Sequence, residues 1–396
     1  MPKINGLILG AVIIRLFFAT FFYHPDLRVY YFHGQFLKTG VLNIYSYLEQ
    51  NRASLPNSNR FNYPPLAYLF FGSWYTVSSV IAGPGLDTWI NDWSGQDVYH
   101  PQLFFYQLLL KLPYFALDLL SLSVLLTFAR SHPQKKFLSA AWLFNPLTLY
   151  GIYAVGQFDL LPALLTLLAA ALVVRGRLTK ASLLLVIGGL LKTYPLLLLP
   201  FVLIRSKSWR ESLTILLPSI ALWLTVQAPF FASPGYSQSV LNSGLANRIF
   251  SAGLDLGGGI VISPFVAVYL VILAYSFFAR RAKLNLIPEF FAVTILVVLL
   301  TPFHAQWLIW SLPFALILLS RSPSLWLPLT AVMASAFGLI LLLPDIYVSV
   351  GLLAGLNPFL KTIPALPPLI KAQILLRSTL VVTGFIAIFK SLKYES

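Results

Sequence analysis

The chain has 396 residues, of which 58% are hydrophobic and only 10% are charged, and its mean hydropathy is +0.81. This composition excludes a soluble domain and predicts an all-α polytopic membrane protein. The absence of cysteine excludes disulfides, thiolate metal sites and thiol nucleophiles. The net charge of +15 comes from short basic clusters between apolar runs. That distribution is typical of cytoplasmic loops, so we expect no nucleic-acid partner.

The first apolar run, 5–23, predicts a membrane-spanning helix. Because it lacks a small-residue cleavage site, we expect it to be retained rather than removed as a signal peptide. Asp26 follows at the predicted membrane surface, ahead of an amphipathic, aromatic helix over 27–38. Asp26 is therefore either a catalytic carboxylate at the interface or the N-cap of that helix.

Basic clusters determine the predicted topology, because Lys and Arg concentrate in cytoplasmic loops. The clusters are Lys3; Arg130, Lys135 and Lys136; Arg175, Arg177 and Lys180; Arg205, Lys207 and Arg210; Arg280, Arg281 and Lys283; Arg321; and Lys390 with Lys393. If all are cytoplasmic, both termini are cytoplasmic. The run 64–81 is then an aromatic interfacial helix, because a crossing there would put two loops on the wrong side. Likewise 181–204 predicts a re-entrant pair of short helices, broken at LLKTYP.

The resulting map has about twelve spanning helices, two of them forming the short pair. They cover 5–23, 104–129, 136–154, 160–174, 181–191, 195–204, 211–231, 259–279, 287–301, 308–320, 325–343 and 370–389. A long outer loop over 24–103 carries interfacial helices, and shorter outer loops cover 232–258 and 344–369. We divide the chain into an N-terminal module, 1–231, which includes the outer loop 24–103, and a C-terminal transmembrane module, 232–396; the family resemblance described below implies that the first is catalytic and the second variable.

Charged side chains at membrane depth cost free energy and therefore need a partner or a function. They are Arg15, Lys111, Asp118, Asp159, Lys192 and His304. A lipid phosphate at the outer interface, held by Lys192 and His304 together with Arg248 from the loop LANRIF, would explain two of these six residues. The alternatives are a snorkelling Lys192, a locally bonded His304 and an ordinary loop position for Arg248. We expect Asp118 to pair with Arg15 or Lys111, and we leave Asp159 open between a structural and a functional role.

Six motifs occur in an order that resembles a known family. They are HPDLRVYY at 24–31, NYPPL at 62–66, ALDLL at 116–120, WLFNPLTLYGIYAVGQFD at 142–159, LLKTYPLLLLP at 190–200 and TPFHAQW at 301–307. This arrangement resembles the GT-C glycosyltransferases that use polyprenyl-phosphate-linked sugars, such as the mannosyl- and glucosyltransferases of GPI-anchor and N-glycan assembly and their prokaryotic relatives. The resemblance covers the N-terminal half and, beyond it, only the region of His304.

The resemblance implies a GT-C fold with Asp26 as catalytic base and with Lys192 and His304 on the donor phosphate. Some family members carry a second acidic residue in the first-loop motif, where this chain has Arg28. We add Arg248 as a candidate phosphate ligand from the residues alone. The candidate substrate-binding residues are Tyr30, Tyr63, Gln157, Asp159, Tyr194 and Gln306.

The expected reaction is transfer of a hexose, with mannose favoured, from a polyprenyl-phosphate donor to a hydroxyl of a glycolipid or glycan. One carboxylate and a few cations suffice for a single inverting displacement, since the leaving phosphate is already a stable anion. We expect no metal and no other cofactor. The expected location is a prokaryotic plasma membrane with an outward site, or the endoplasmic reticulum with a luminal one. A transporter or flippase for a lipid-linked sugar is the main alternative, and a membrane-bound acyltransferase a weaker one.

Overall fold

The computed structural model describes residues 2–243, 246–280, 282–343, 346–361 and 369–394, and it is almost entirely helical. Among these residues, four helices are long and apolar enough to cross a membrane, Leu103–Leu126, Trp209–Phe230, Pro323–Leu342 and Ile370–Lys393. The bent pair Ile8–Phe21 and Pro25–Lys38, with 74° between its helices, would make a fifth. Several further apolar helices are shorter. The chain is therefore an all-α protein whose long apolar helices fit a multi-pass membrane protein.

Eighteen α-helices and one pair of short strands are present in the described part of the chain. The helices are α1 Pro2–Phe21, α2 Pro25–Lys38, α3 Ile44–Gln50, α4 Pro65–Ala82, α5 Pro84–Asn91, α6 Leu103–Leu126, α7 His132–Leu143, α8 Pro146–Thr148, α9 Leu160–Val174, α10 Leu178–Gly189, α11 Leu199–Ile204, α12 Trp209–Gln227, α13 Pro234–Tyr236, α14 Pro264–Arg280, α15 Ile287–Leu300, α16 Leu308–Leu319, α17 Trp326–Leu342 and α18 Ile370–Tyr394. The strands are β1 Leu254–Asp255 and β2 Val261–Ile262. Most helices lie within a few residues of the predicted ones.

The predicted helix over 136–154 is wrong as a single element. The helix α7 ends at Leu143, and Asn145 has an extended backbone with ψ of 122° before the short α8. Residues that precede proline avoid the helical region, and here Pro146 follows Asn145. The Asn145 side chain accepts a hydrogen bond from the amide of Leu147 at 2.9 Å, which starts a new turn. A π-helical turn, Leu149–Ala154, then leads to the GQFD segment.

The predicted start of the helix over 259–279 is also wrong. Residues 254–262 form an antiparallel hairpin that pairs Leu254 with Ile262 and Asp255 with Val261, and α14 begins only at Pro264. The turn of this hairpin contains Gly257, Gly258 and Gly259, with φ angles of 87°, 63° and 78°. A run of three residues in the left-handed region is accessible to glycine at little cost, so the sequence turns here instead of continuing a helix. Of the predicted outer loop 344–369, residues 344, 345 and 362–368 lie outside the described residues, as does Arg281.

The long loop after α1 folds into the helices α2, α3, α4 and α5, as predicted. The helices α2 and α4 pack closely, because Gly34 on α2 and Gly72 on α4 have no side chain between the two backbones. A Cβ on Gly34 would lie 2.9 Å from the Phe71 carbonyl carbon, and one on Gly72 would lie 2.5 Å from the Leu37 side chain. The location of α4 in the membrane interface stays a prediction.

The predicted break at LLKTYP is confirmed as a feature of the backbone. The helix α10 ends at Gly189, and the chain resumes as a 3-10 turn, Tyr194–Leu198, that runs into α11. The two arms are in contact, since a Cβ on Gly188 would lie 3.1 Å from Pro195. Lys192 and Thr193 thus occupy the bend between two short helical arms.

A buried ion pair connects α1 and α6. Asp118 on α6 accepts from Arg15 on α1 at 2.6 Å, and both side chains are almost completely buried. Lys111 instead donates to two backbone carbonyls, those of Phe22 at 2.6 Å and Tyr153 at 2.8 Å. Of the two partners expected for Asp118, Arg15 is therefore the one observed.

Candidate active site

A cavity of about 490 Å³ opens where several of these helix breaks meet. Its walls come from the start of α2, the segment before α4, the bend after α10, the residues Ser243, Arg248 and Ile249, and the connection between α15 and α16. Seven of the ten site residues predicted from sequence line it. These are Asp26, Tyr63, Lys192, Tyr194, Arg248, His304 and Gln306. Residues from both predicted modules line the cavity, so the site is not confined to one side of the predicted boundary at 231.

Asp26 presents a partly accessible carboxylate to the cavity. Its side chain is 43% exposed, and it lies in the first turn of α2, where the helix dipole stabilises negative charge. The side-chain amide of Gln157 donates to its Oδ2 at 2.8 Å, and the Tyr30 hydroxyl lies 3.5 Å from the same atom. Within the described part of the chain, both of these contacts are with Oδ2 and none is with Oδ1. One carboxylate oxygen is thus held in place, while Oδ1 is the one left to accept a proton.

The alternative role of Asp26 as a helix N-cap is not observed. The N-cap of α2 is His24, whose Nδ1 accepts a hydrogen bond from the Asp26 amide at 3.1 Å, and Pro25 is the first helical residue. Proline is favoured at that position because it needs no hydrogen-bond acceptor there. The capping requirement of α2 is therefore met without the Asp26 carboxylate.

Tyr30 and Gln157 contact Asp26 from within the protein and do not line the cavity, and their role as substrate contacts stays a prediction. Gln157 is 1% exposed, and its Oε1 accepts from the Tyr30 hydroxyl at 2.7 Å. The Tyr30 hydroxyl lies 3.2 Å from that of Tyr63. Burial raises the pKa of Tyr63, which keeps its phenol protonated and able to donate. A series of hydrogen bonds therefore fixes the orientation of the Asp26 carboxylate from within the protein, and it runs from Tyr63 through Tyr30 and Gln157.

The position of Gln157 depends on Lys111. Gln157 follows Gly156, whose φ of 73° allows the chain to turn sharply after the π-helical segment. A Cβ on Gly156 would lie 3.1 Å from the Lys111 side chain. Since Lys111 also binds the carbonyls of Phe22 and Tyr153, it connects the segment leading to Asp26 with the segment leading to Gln157.

Lys192 is paired with Asp159, and this pairing modifies both predictions. The Lys192 Nζ donates to Asp159 Oδ1 at 2.8 Å, and the indole of Trp310 donates to the same oxygen. Asp159 is fully buried and does not line the cavity, and its role as a substrate contact stays a prediction. Lys192 does reach the cavity, with 12% of its side chain exposed. Asp159 therefore acts on the cavity through Lys192, whose charge it partly compensates.

Arg248 and His304 form a second pair on the cavity wall. A guanidinium nitrogen of Arg248 is in hydrogen-bond contact with Nε2 of His304. Burial, reinforced by the charges of Arg248 and Lys192, lowers the pKa of His304 to about 4. His304 is consequently neutral at neutral pH and accepts from Arg248. Within the described ranges, no carboxylate lies within 4.0 Å of the Arg248 guanidinium.

A column of stacked rings behind these cations was not predicted from sequence. Tyr194 stacks on Trp310 with 3.9 Å between ring centroids, Trp310 stacks on Trp307 at 5.0 Å, and Trp307 lies 4.6 Å from His304. Lys192 lies 5.3 Å from the Trp310 ring, and Arg248 lies 5.3 Å from the Trp307 ring. Cations are attracted to aromatic faces at this range. The spacing of three residues between positions 304, 307 and 310 is the sequence signal for this column, since it places them on one side of a helical turn.

The arrangement can bind an anion and remove a proton in the same cavity. Arg248 and Lys192 supply positive charge, and Asp26 supplies a basic oxygen. Among the described residues, no group of three or more His, Cys, Asp or Glu side chains is placed to hold a metal ion. A comparison with models of known protein families finds no match for this chain, and a comparison with curated proteins finds none either.

Proposed function

We propose that this chain is a membrane-embedded glycosyltransferase with a GT-C fold and about twelve spans. Its donor is a polyprenyl-phosphate-linked hexose, with mannose as the first candidate, and its acceptor is a hydroxyl of a glycolipid or glycan. The observation that carries the proposal is the shared cavity. It contains a carboxylate held by one oxygen, Asp26, and a guanidinium without a carboxylate partner among the described residues, Arg248.

The base step follows from the geometry around Asp26. The acceptor hydroxyl approaches Oδ1 and transfers its proton to it, while its oxygen forms a bond to C1 of the sugar. Gln157 holds Oδ2, so the carboxylate meets the hydroxyl in a fixed orientation. Because the acceptor attacks opposite the departing phosphate, the anomeric centre inverts, and a β-linked donor gives an α-linked product.

The departing group is a lipid phosphate, and the cations of the cavity stabilise it. As the bond between C1 and the phosphate oxygen breaks, both bonding electrons stay with the phosphate, whose negative charge increases. A guanidinium is suited to binding phosphate oxygens in pairs, and Arg248 has no competing carboxylate within reach among the described residues. Lys192 contributes less positive charge because Asp159 already binds it at 2.8 Å. No general acid is needed, since phosphate is a good leaving group.

The order of motifs from HPDLRVYY to TPFHAQW supports the GT-C assignment, as does the position of Asp26 immediately after the first apolar helix. The distribution of basic clusters supports a cytoplasmic location for both termini and an outer or luminal location for the cavity. We propose a prokaryotic plasma membrane as the first candidate location and the endoplasmic reticulum as the second.

The test is transfer by the purified chain in detergent from a panel of radiolabelled polyprenyl-phosphate sugars to membrane extracts. The Asp26→Asn variant should lose roughly 100- to 10,000-fold in turnover, the usual contribution of a general base. The affinity of this variant for the donor, measured by binding of the radiolabelled lipid to immobilised protein, should be unchanged. The matched control is Asp92→Asn, which removes a carboxylate from an exposed part of the same long loop outside the cavity.

Transport of a lipid-linked sugar is distinguished in the same preparation. Sugar lipid that moves across liposomes, without transfer or donor hydrolysis for any sugar of the panel, would overturn the proposal in favour of a transporter. Full transfer activity in Asp26→Asn would overturn the role of the base while leaving the reaction in place.

A further inference from the structure

Five apolar side chains of the hairpin that precedes α14 are exposed. The exposed fractions are 59% for Leu254, 64% for Leu256, 64% for Ile260, 60% for Val261 and 41% for Ile262. In a two-stranded ribbon, successive side chains point to opposite faces, so Leu254 and its partner Ile262 lie on one apolar face, whereas Asp255 and its partner Val261 lie on the other. Contiguous exposed apolar surface indicates a contact with a protein or a membrane.

The surroundings of the hairpin identify a bilayer as its partner. Between Arg248 and Arg280, the only charged residue is Asp255. The helix α14 continues directly from the hairpin and is itself apolar, with exposed side chains such as Leu270, Val271 and Phe278. An apolar helix face that is exposed in a membrane protein faces lipid. The hairpin extends that face at the end of the helix that lies near the cavity.

The backbone of the hairpin limits how deeply the hairpin can insert into the bilayer. The turn residues Gly257, Gly258 and Gly259 are exposed, and unpaired backbone groups cannot enter the hydrocarbon core at reasonable cost. The charge of Asp255 also favours the headgroup layer over the hydrocarbon core. Within the hairpin turn, the Asp255 Oδ1 accepts a hydrogen bond from the Gly257 amide at 2.8 Å. These features fit a shallow, interfacial insertion of the kind that amphipathic segments make.

We propose that the β-hairpin of residues 254–262 inserts its apolar side chains into the interfacial layer of the bilayer on the cavity side, and thereby anchors the loop that carries Arg248. The hairpin is firmly connected to that loop, because the Ser263 hydroxyl donates to the carbonyl of Ile249 at 2.8 Å. Ile249 and Arg248 both line the cavity. Insertion would therefore fix the cavity mouth at the level of the lipid headgroups. This inference does not depend on the proposed glycosyl transfer.

The absence of native cysteine allows a direct test by site-specific labelling. The full chain carrying Leu256→Cys or Ile260→Cys is labelled with a polarity-sensitive fluorophore and reconstituted into phosphatidylcholine vesicles. The controls are Gln96→Cys on an exposed polar loop and Val271→Cys on the exposed face of α14. Quenching is compared between aqueous iodide, a lipid with a nitroxide near its headgroup and a lipid with a nitroxide near its chain end.

The hairpin labels should be quenched most strongly by the headgroup-level nitroxide, and several-fold less by iodide than the label at 96. The label at 271 should respond to nitroxide lipid and not to iodide. Hairpin labels that respond to iodide as strongly as the label at 96, and to neither nitroxide lipid, would overturn the proposal. Labels protected from all three quenchers would overturn it too, in favour of a protein contact. Far-UV circular dichroism of each labelled chain confirms that it is folded.

Discussion

Replacing Arg15 with methionine removes the counter-charge of a carboxylate that is buried between helices. In the native chain, Asp118 on α6 accepts from Arg15 at 2.6 Å, from the Trp142 indole at 2.5 Å and from the Tyr153 hydroxyl at 2.7 Å. Arg15 also donates to the Leu143 carbonyl at 2.7 Å, at the end of α7. The network therefore joins α1, α6, α7 and the π-helical turn that leads to the cavity.

Arg15→Met should lower the free energy of unfolding by about 3–5 kcal/mol, the usual cost of leaving one member of a buried ion pair unpaired. Adding Asp118→Asn to this variant removes the uncompensated charge and keeps one oxygen as acceptor. The double variant should therefore be more stable than the sum of the two single changes predicts, by more than about 1 kcal/mol. The control is Lys38→Met, which breaks an exposed pair with Asp87 and should cost about 1 kcal/mol or less.

Unfolding by sodium dodecyl sulfate in mixed micelles, followed by far-UV circular dichroism, measures these differences. A decrease in the free energy of unfolding of less than about 1 kcal/mol for Arg15→Met would refute the reasoning, since a buried carboxylate without a counter-charge should destabilise the fold by more than that. Strict additivity of Arg15→Met and Asp118→Asn would refute it as well, because it would mean that the two side chains do not interact.

Three further predictions concern the cavity. Gln157→Leu should reduce turnover about 10- to 100-fold with donor binding unchanged, since it removes one hydrogen bond to the Asp26 carboxylate. A change in donor affinity alone, measured in a steady-state assay, would contradict the role of Gln157 in orienting Asp26. The pKa of His304 is about 4 in the folded chain, below its ordinary value of 6.5, so the unfolded chain takes up a proton at higher pH than the folded one. The free energy of unfolding should therefore fall as the pH is lowered from about 6.5 to about 4. Melting curves across this range should show a smaller fall for His304→Gln. EDTA should leave transfer unchanged, and activity restored only by magnesium or manganese would reverse this expectation.

The helices themselves were predictable because long apolar runs are separated by polar or basic segments. The bend at Lys192 was predictable for a different reason, because basic clusters at both ends of 181–204 are incompatible with a single crossing when both are cytoplasmic. The break at Asn145 was missed although Pro146 signals it, because the apolar pattern on either side reads as continuous. The hairpin was missed because its strands are apolar and short, and only three consecutive glycines mark the turn.

The site was predictable as a set of residue types and not as a set of contacts. Lys192 and His304 were predicted because charged or titratable side chains at membrane depth need a partner or a function. Asp26 was predicted because it lies at the expected membrane surface directly after the first apolar run and matches the first-loop motif of the family. The pairing of Lys192 with Asp159 could not be derived, because it depends on how α9 and the bend after α10 pack. The separation of Arg248 from any described carboxylate depends equally on tertiary structure.

The breaks in the helices explain why these residues share one cavity. Asp26 follows the end of α1, Gln157 follows a π-helical turn, Lys192 follows the end of α10, and His304 follows the end of α15. Irregular backbone inside a membrane protein is stable only where it is buried in protein or lines a polar cavity, so the breaks and the polar side chains favour the same location. Lys111 satisfies two of the carbonyls that such breaks leave free, and Asp118 holds Tyr153, which supplies one of them. Weakening the buried network should therefore displace Gln157 and lower turnover before it unfolds the chain.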